Sequence, residues 1–309
     1  MIRSAIILIP LVLCSCAQQP QENVASRSEE KADILFPVRL ESGQFGYMDR
    51  GGKIVLKGPF AGASRFSEGL AAVQLTKAGQ VGFIDTTGKM VIPEQFELAD
   101  PFSSGYSAVM LGHKWGYIDK TGTLIIPFNY TAALPFSEGR AAVAVTAGNG
   151  ASYGYINPKG EFVLPARFDS AMPYREGLAG VRAFAEKFKF IDASGKTVIQ
   201  PDYMSTGEFG EGLAPVQTVT PEGMRWGYVD KSGKMTIAPQ FYNALPFAEG
   251  LAPVQVATGR WGFIDKTGNM SIRPQWEQAA DFSHGLSQVW LGDKYGYIDS
   301  KGVYIWGVQ

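Results

Sequence analysis

Cysteine and histidine are nearly missing from this sequence of 309 residues, which holds only Cys14, Cys16, His113 and His284. Both cysteines fall in the first sixteen positions, so a disulfide framework, a thiol enzyme and a zinc site are all excluded. Charge is scarce as well. Charged residues make up 18% and the formal net charge is −1, which excludes a basic nucleic-acid binder and an acidic tail. No apolar run reaches the roughly 20 residues that a spanning helix needs. No stretch sustains helical periodicity, and neither a P-loop nor a G-x-S-x-G elbow occurs. No catalytic residue, metal or cofactor is therefore expected. What is present is a 45% hydrophobic chain, enough for a substantial core, and 37 glycines, too few and too irregular for collagen. Such glycines mark turns.

The N-terminus reads as an address. Met1-Ile2-Arg3 carries one positive charge, and residues 5–13 (AIILIPLVL) form a short apolar run that suits a secretory signal. The run ends in Leu13-Cys14-Ser15-Cys16, which resembles the lipobox of bacterial lipoproteins. That resemblance implies cleavage before Cys16 and a diacylglycerol on its thiol. Each buried acyl CH₂ contributes about 0.8 kcal/mol, and several chains together hold a protein on a membrane stably. Ala17, rather than an aspartate, follows Cys16, which resembles sorting to the outer membrane. The organisation expected is a signal peptide over 1–15, a lipidated cysteine and polar tether over 16–34, and a folded domain over 35–309. The location expected is the bacterial envelope, on the periplasmic or surface face of the outer membrane.

The folded part is one unit written eight times. An aromatic-Gly-aromatic phrase recurs as Phe45-Gly46-Tyr47, Val81-Gly82-Phe83, Trp115-Gly116-Tyr117 and Tyr153-Gly154-Tyr155. It continues as Phe188-Lys189-Phe190, Trp226-Gly227-Tyr228, Trp261-Gly262-Phe263 and Tyr295-Gly296-Tyr297. The starts lie 34 to 38 residues apart. A turn glycine, a proline and a phrase like Phe-Ser-Glu-Gly-Leu follow in phase. The chain resembles the WG-repeat (KWG-repeat) family, and the resemblance implies a bacterial, often envelope-associated, β-rich repeat protein.

Residues 251–274 show what one unit builds. Leu251 to Val256 reads as a strand, Trp261 to Asp265 as a second, and Met270 to Ile272 as a third that Pro274 stops. Asp265-Lys266-Thr267-Gly268 between them reads as a capped turn. The fold class expected is all-β, made of tandem three-stranded antiparallel meanders. A sheet this small cannot bury both faces alone. The units must pack on one another, in a propeller-like ring or, alternatively, in an open superhelical array.

Repetition argues against catalysis, because a reacting group is needed once. The recurring aspartates (Asp49, Asp85, Asp265 and their equivalents) are expected to cap turns rather than hold calcium, which needs six to eight oxygens. The recurring glutamates (Glu68, Glu138, Glu176, Glu211, Glu249) are expected to bond neighbouring backbone. Most aromatics fall at repeat-equivalent positions and belong to the core. The departures from the repeat are more telling: the loops 146–152, 184–189 and 218–225, and His284 in a glutamate position. Asn149, Lys187, Lys189, Glu222, Arg225 and His284 are the candidate binding residues. The function expected is a non-enzymatic, lipid-anchored binding scaffold for a protein partner, with no nucleic acid involved. A glycan- or peptidoglycan-binding module is the alternative, and an enzyme the third reading.

Overall fold

A computed structural model describes residues 34–148 and 150–307, without the side chains of residues 201 and 202. These residues contain eight small antiparallel sheets and no helix. The sheets stand in a ring, an eight-bladed β-propeller. Blade 7 shows the pattern, pairing Asn243–Ala244, Ala252–Gln255, Trp261–Ile264 and Met270–Trp276 in that order. The last three strands are the expected meander. The first has two residues, too few for any hydrophobic period to announce it. Blade 1 has three strands, Phe36–Arg39, Phe45–Met48 and Ile54–Phe60, and the other blades have four.

In blades 2, 4 and 6 the second strand is covered on both faces, so it starts as a continuous buried run, as in Leu70–Val73 and Leu213–Val216, rather than an alternation. In blade 4, Ala141, Ala142, Val143 and Ala144 are all buried. The aromatic of the third strand then meets aromatics from its own blade and the next. Phe263 lies 5.9 Å from Trp276 at the end of its own blade and 5.0 Å from Phe282 in blade 8. Each such ring, fully buried, contributes about 1.5–3 kcal/mol.

The prolines act differently from the expectation. They do not stop the last strand. Met270–Trp276 runs through Pro274, and the register changes from Phe263↔Ile272 to Trp261↔Trp276. One third-strand residue, Gly262, thus opposes three, Arg273, Pro274 and Gln275, a β-bulge in which the proline is tolerated because no ladder N–H is needed there. The bulge presses the Ile272 carbonyl to 2.6 Å from where a Cβ at Gly262 would stand. Glycine suits this position in blade 7, while blade 5 holds Lys189 at the equivalent position over the same change of register, Phe190↔Ile199 to Phe188↔Tyr203.

The aspartates cap turns as expected. Asp265 Oδ1 accepts N–H bonds from Thr267 (2.9 Å) and Asn269 (3.1 Å) and the Thr267 hydroxyl (2.6 Å). The glutamates bond backbone of the next blade. Glu68, Glu138, Glu176, Glu211 and Glu249 accept from the N–H of Gly105, Gly177, Gly212, Gly250 and Gly285. In blade 3 Ser104 replaces the glutamate, and its hydroxyl lies 3.5 Å from the Phe136 carbonyl, to which Ser103 donates at 2.7 Å as Ser67 does to the Phe102 carbonyl in blade 2.

The ring closes. Phe36 of blade 1 packs edge-on against Tyr297 of blade 8 at 5.5 Å, with Val38, Met48 and Leu286 in the same core. The Tyr297 hydroxyl donates to the Pro37 carbonyl at 3.0 Å. In blade 2 the equivalent carbonyl, that of Ala72, accepts from the N–H of Ser64, the residue that follows the two-residue strand Gly62–Ala63. Blade 1 has no such strand among the described residues. The tyrosine supplies the missing donor, and Pro37 has no N–H to satisfy. Among the described residues, side chains shut the ring.

Candidate binding surface

The strand ends form two faces. On one lie the Asp-x-x-Gly turns and the Ser-Glu-Gly loops. This turn face is regular: Lys120, Lys231 and Lys266 pair with Glu68, Glu176 and Glu211 at 3.2, 2.9 and 2.9 Å. On the other lie the hairpins between the second and third strands, together with the links between blades. The repeat breaks on this hairpin face.

Blades 4 and 6 carry the longest hairpins. Ala141–Ala147 pairs with Gly150–Ile156, and Leu213–Thr220 with Gly223–Asp230. Between them blade 5 pairs only Ala179–Arg182 with Phe188–Ile191. On the hairpin side each long ribbon continues for three more paired residues per strand, about 10 Å at roughly 3.3 Å per residue. The intervening loop 183–187 presents Phe184, which is 88% exposed. Val219 and Met224, opposite one another on the blade 6 ribbon, are 66% and 52% exposed. Met204 and Tyr242, in the links on either side of blade 6, are exposed on the same face. Removing such side chains from water is worth about 25 cal/mol per Å².

Polar groups frame this apolar sector. Arg225 lies over the Tyr242 ring, 4.0 Å from its centroid, and donates to the Tyr242 hydroxyl at 3.0 Å. Its other nitrogen donates to the Met224 carbonyl at 2.8 Å, which holds the guanidinium in place. Lys189 pairs with Glu186 at 2.6 Å. Glu222 accepts from the Thr220 hydroxyl at 3.0 Å. Lys187 shares the loop with Phe184.

Of the sequence candidates, Lys187, Lys189, Glu222 and Arg225 therefore come together on adjacent blades. His284 does not. It lies on the turn face, bonded through Nδ1 to the Ser283 hydroxyl at 2.9 Å. It holds the glutamate position at the end of the glutamate–glycine ladder. Blade 1, which it faces, offers no Ser-Glu-Gly loop among the described residues, and the Arg50 guanidinium lies against Gly285 instead. Asn149 and Cys16 lie outside the described residues. Phe184, Met204, Val219, Met224 and Tyr242 were not singled out by the sequence reasoning. Writing the repeats in register exposes them, because a large apolar side chain at a hairpin tip has no role in the repeat. Among the described residues no three His, Cys, Asp or Glu side chains gather as metal ligands would.

A model of the WG containing repeat matches residues 45–77, 82–115, 115–145, 153–183, 190–218, 226–257 and 261–295. The chain belongs to this WG-repeat family. Each matched window runs from the third strand of one blade into the second strand of the next. Seven windows are therefore the seven covalent junctions of an eight-bladed ring. The eighth junction is the seam between blades 8 and 1. Among solved structures, BamB from Moraxella catarrhalis is similar, at 12% identity over 88% of this chain and 90% of that chain, with a TM-score of 0.52. The Pyrococcus horikoshii acylaminoacyl peptidase is similar at 9% identity over 80% of this chain and 51% of that chain, with a TM-score of 0.53. At these identities the likeness shows the fold alone. A search of curated proteins finds no match to the sequence.

Proposed function

We propose that this WG-repeat propeller is a non-enzymatic binding scaffold for a protein partner, held in the bacterial envelope by a lipid on Cys16. One observation carries the reading. A unit kept nearly constant around the ring departs from itself in consecutive blades, on one face, and places Phe184, Val219, Met224 and Tyr242 there in contact with water. Apolar groups of this size rimmed by Arg225 and Lys189 have the make-up of a protein interface, in which aromatic, methionine and arginine residues dominate. A glycan platform needs several open ring faces, and Tyr242 is already covered on one side by Arg225.

The test is co-purification from detergent-solubilised membranes. Wild-type protein is expected to retain a discrete partner at near-equal amounts. The double substitution Phe184→Ser and Met224→Ser is expected to lose it with the thermal midpoint unchanged, since both side chains stand in solvent. Retention of the partner by the double variant would contradict the reading. Cys16→Ser is expected to release the protein from the membrane fraction, and unchanged membrane retention would contradict the anchor.

A further inference from the structure

Arg225 stands at a place that the repeat fills with arginine in blades 6 and 7 alone. The place is the residue just before the first aromatic of the third strand, and in blade 7 it holds Arg260. Opposite each arginine comes the residue that follows the last strand, because Trp226 pairs with Phe241 and Trp261 with Trp276. In blade 7 that residue is Glu277, and Arg260 pairs with its carboxylate at 3.3 Å. In blade 6 it is Tyr242, which brings no carboxylate. On the other side, in blade 5, Arg182 lies over the Phe188 ring, 5.1 Å from its centroid, and pairs with Asp169 at 3.0 Å. The hairpin arginines of both neighbouring blades therefore hold a carboxylate, and Arg225 holds none.

The Arg225 guanidinium is nonetheless fixed. The Tyr242 ring, the Tyr242 hydroxyl and the Met224 carbonyl hold it. Those two hydrogen bonds take one N–H from each terminal nitrogen, out of the five that a guanidinium offers. The Nε–H and one N–H on each terminal nitrogen have no acceptor among the described residues. Glu222, in the same hairpin, accepts from the Thr220 hydroxyl at 3.0 Å instead. A guanidinium already held and stacked loses little freedom on meeting a second planar group, and its fork matches a carboxylate. Arg182 shows that one arginine can keep a ring and a carboxylate together.

We propose that Arg225 is the receptor for an acidic side chain of the protein partner, an aspartate or glutamate whose carboxylate lies against Arg225 as that of Glu277 lies against Arg260; this rests on the hairpin face of blades 4–6 being a protein-binding surface. The partner then brings an acidic residue to blade 6 beside the apolar groups that cover Phe184 and Met224.

The first test uses the purified full chain labelled with ¹⁵N-arginine, with phenylacetate as the probe. The Arg225 Nε–H resonance, identified by its loss in Arg225→Lys, is expected to shift along a saturating curve. Phenylacetamide, which has the ring without the charge, is expected to leave it in place. The Arg182 and Arg260 resonances are expected to shift far less, since both groups already hold carboxylates. An Arg225 resonance that stays still, that shifts equally with the amide, or that shifts only in step with Arg182 and Arg260 would overturn the proposal. The second test finds the source of the carboxylate. Membranes carrying Arg225→Lys are treated with a water-soluble carbodiimide, which activates a carboxylate and leaves as its urea when a touching amine forms the amide. Mass spectrometry is expected to find position 225 joined to an aspartate or glutamate side chain of another polypeptide. A link to Glu222 of the same chain, a link to an α-carboxyl group alone, or no link would overturn it. The surface and the carboxylate are tested apart. A partner that is lost with Phe184→Ser and Met224→Ser but retained undiminished with Arg225→Gln would leave the surface standing and overturn the role of Arg225.

Discussion

Gly262 carries a conformational requirement and Gly150 does not. A Cβ at Gly262 would stand 2.6 Å from the Ile272 carbonyl and 2.8 Å from the Pro274 nitrogen, both backbone atoms that cannot swing away. Gly150 has open space around that position and no positive φ. Gly262→Ala should therefore lower stability by about 2 kcal/mol or more, whereas Gly150→Ala should leave it within about 0.5 kcal/mol. Denaturant titration of the two variants checks this. The glutamates carry a pH dependence. Burial alone would raise the Glu176 and Glu211 carboxyl groups, but the ammonium groups of Lys231 and Lys266 and the N–H groups of Gly212 and Gly250 outweigh it and hold both below the usual range. A carboxyl depressed by folding stabilises above its unfolded pKa, near 4.3, and that stabilisation is lost as pH falls through the lower folded value. The thermal midpoint should hold from about pH 7 to 5 and fall below about pH 4. The Glu176→Gln, Glu211→Gln double variant should start lower and lose less over the same range. Parallel curves for the two proteins would contradict the assignment.

Much of the blade was legible in the sequence because two of its strands announce themselves by aromatic-Gly-aromatic and by runs such as Leu251 to Val256. The aspartate turn was legible for the same reason, since Asp265 and Gly268 have one chemistry that suits their spacing. Two features were not. Strands like Asn243–Ala244 are too short to show a period. Pro274 reads as a terminator, because a sequence does not reveal that a bulge turns the proline's missing N–H away from the ladder. The hairpins were half legible. Their extra length points to 146–152 and 218–225 and their charge to Glu222 and Arg225, but nothing local marks Val219 and Met224, whose exposure depends on where the paired ribbon leaves its blade. One element-level prediction follows from the register. Gln217↔Trp226 in blade 6 matches Gln255↔Trp261 in blade 7, so residues 218–225 can be exchanged for a copy of 256–260 without moving either strand. The graft should melt within a few degrees of wild type and lose the partner. A collapse of the thermal transition would show instead that the long ribbon supports the fold.

At the scale of the whole molecule, eight units and seven covalent junctions leave one junction to be made by side chains. Whether the units close was not decided by the repeat itself, which is the same in a ring and in an open array. It is decided by residues at the two ends, above all Phe36, Pro37 and Tyr297, each of which departs from nothing in the local pattern. Because blades 4, 5 and 6 are consecutive, their three irregular loops, spread over some eighty residues, form one sector. The most direct measurement of this account is photo-crosslinking in living cells, with a photoreactive residue placed in turn at hairpin positions around the ring: Leu75, Leu111, Phe184, Met224 and Leu291. The account predicts one discrete protein adduct from positions 184 and 224 and none from 75, 111 or 291. Adducts of equal yield from all five positions, or none from 184 and 224, would contradict it.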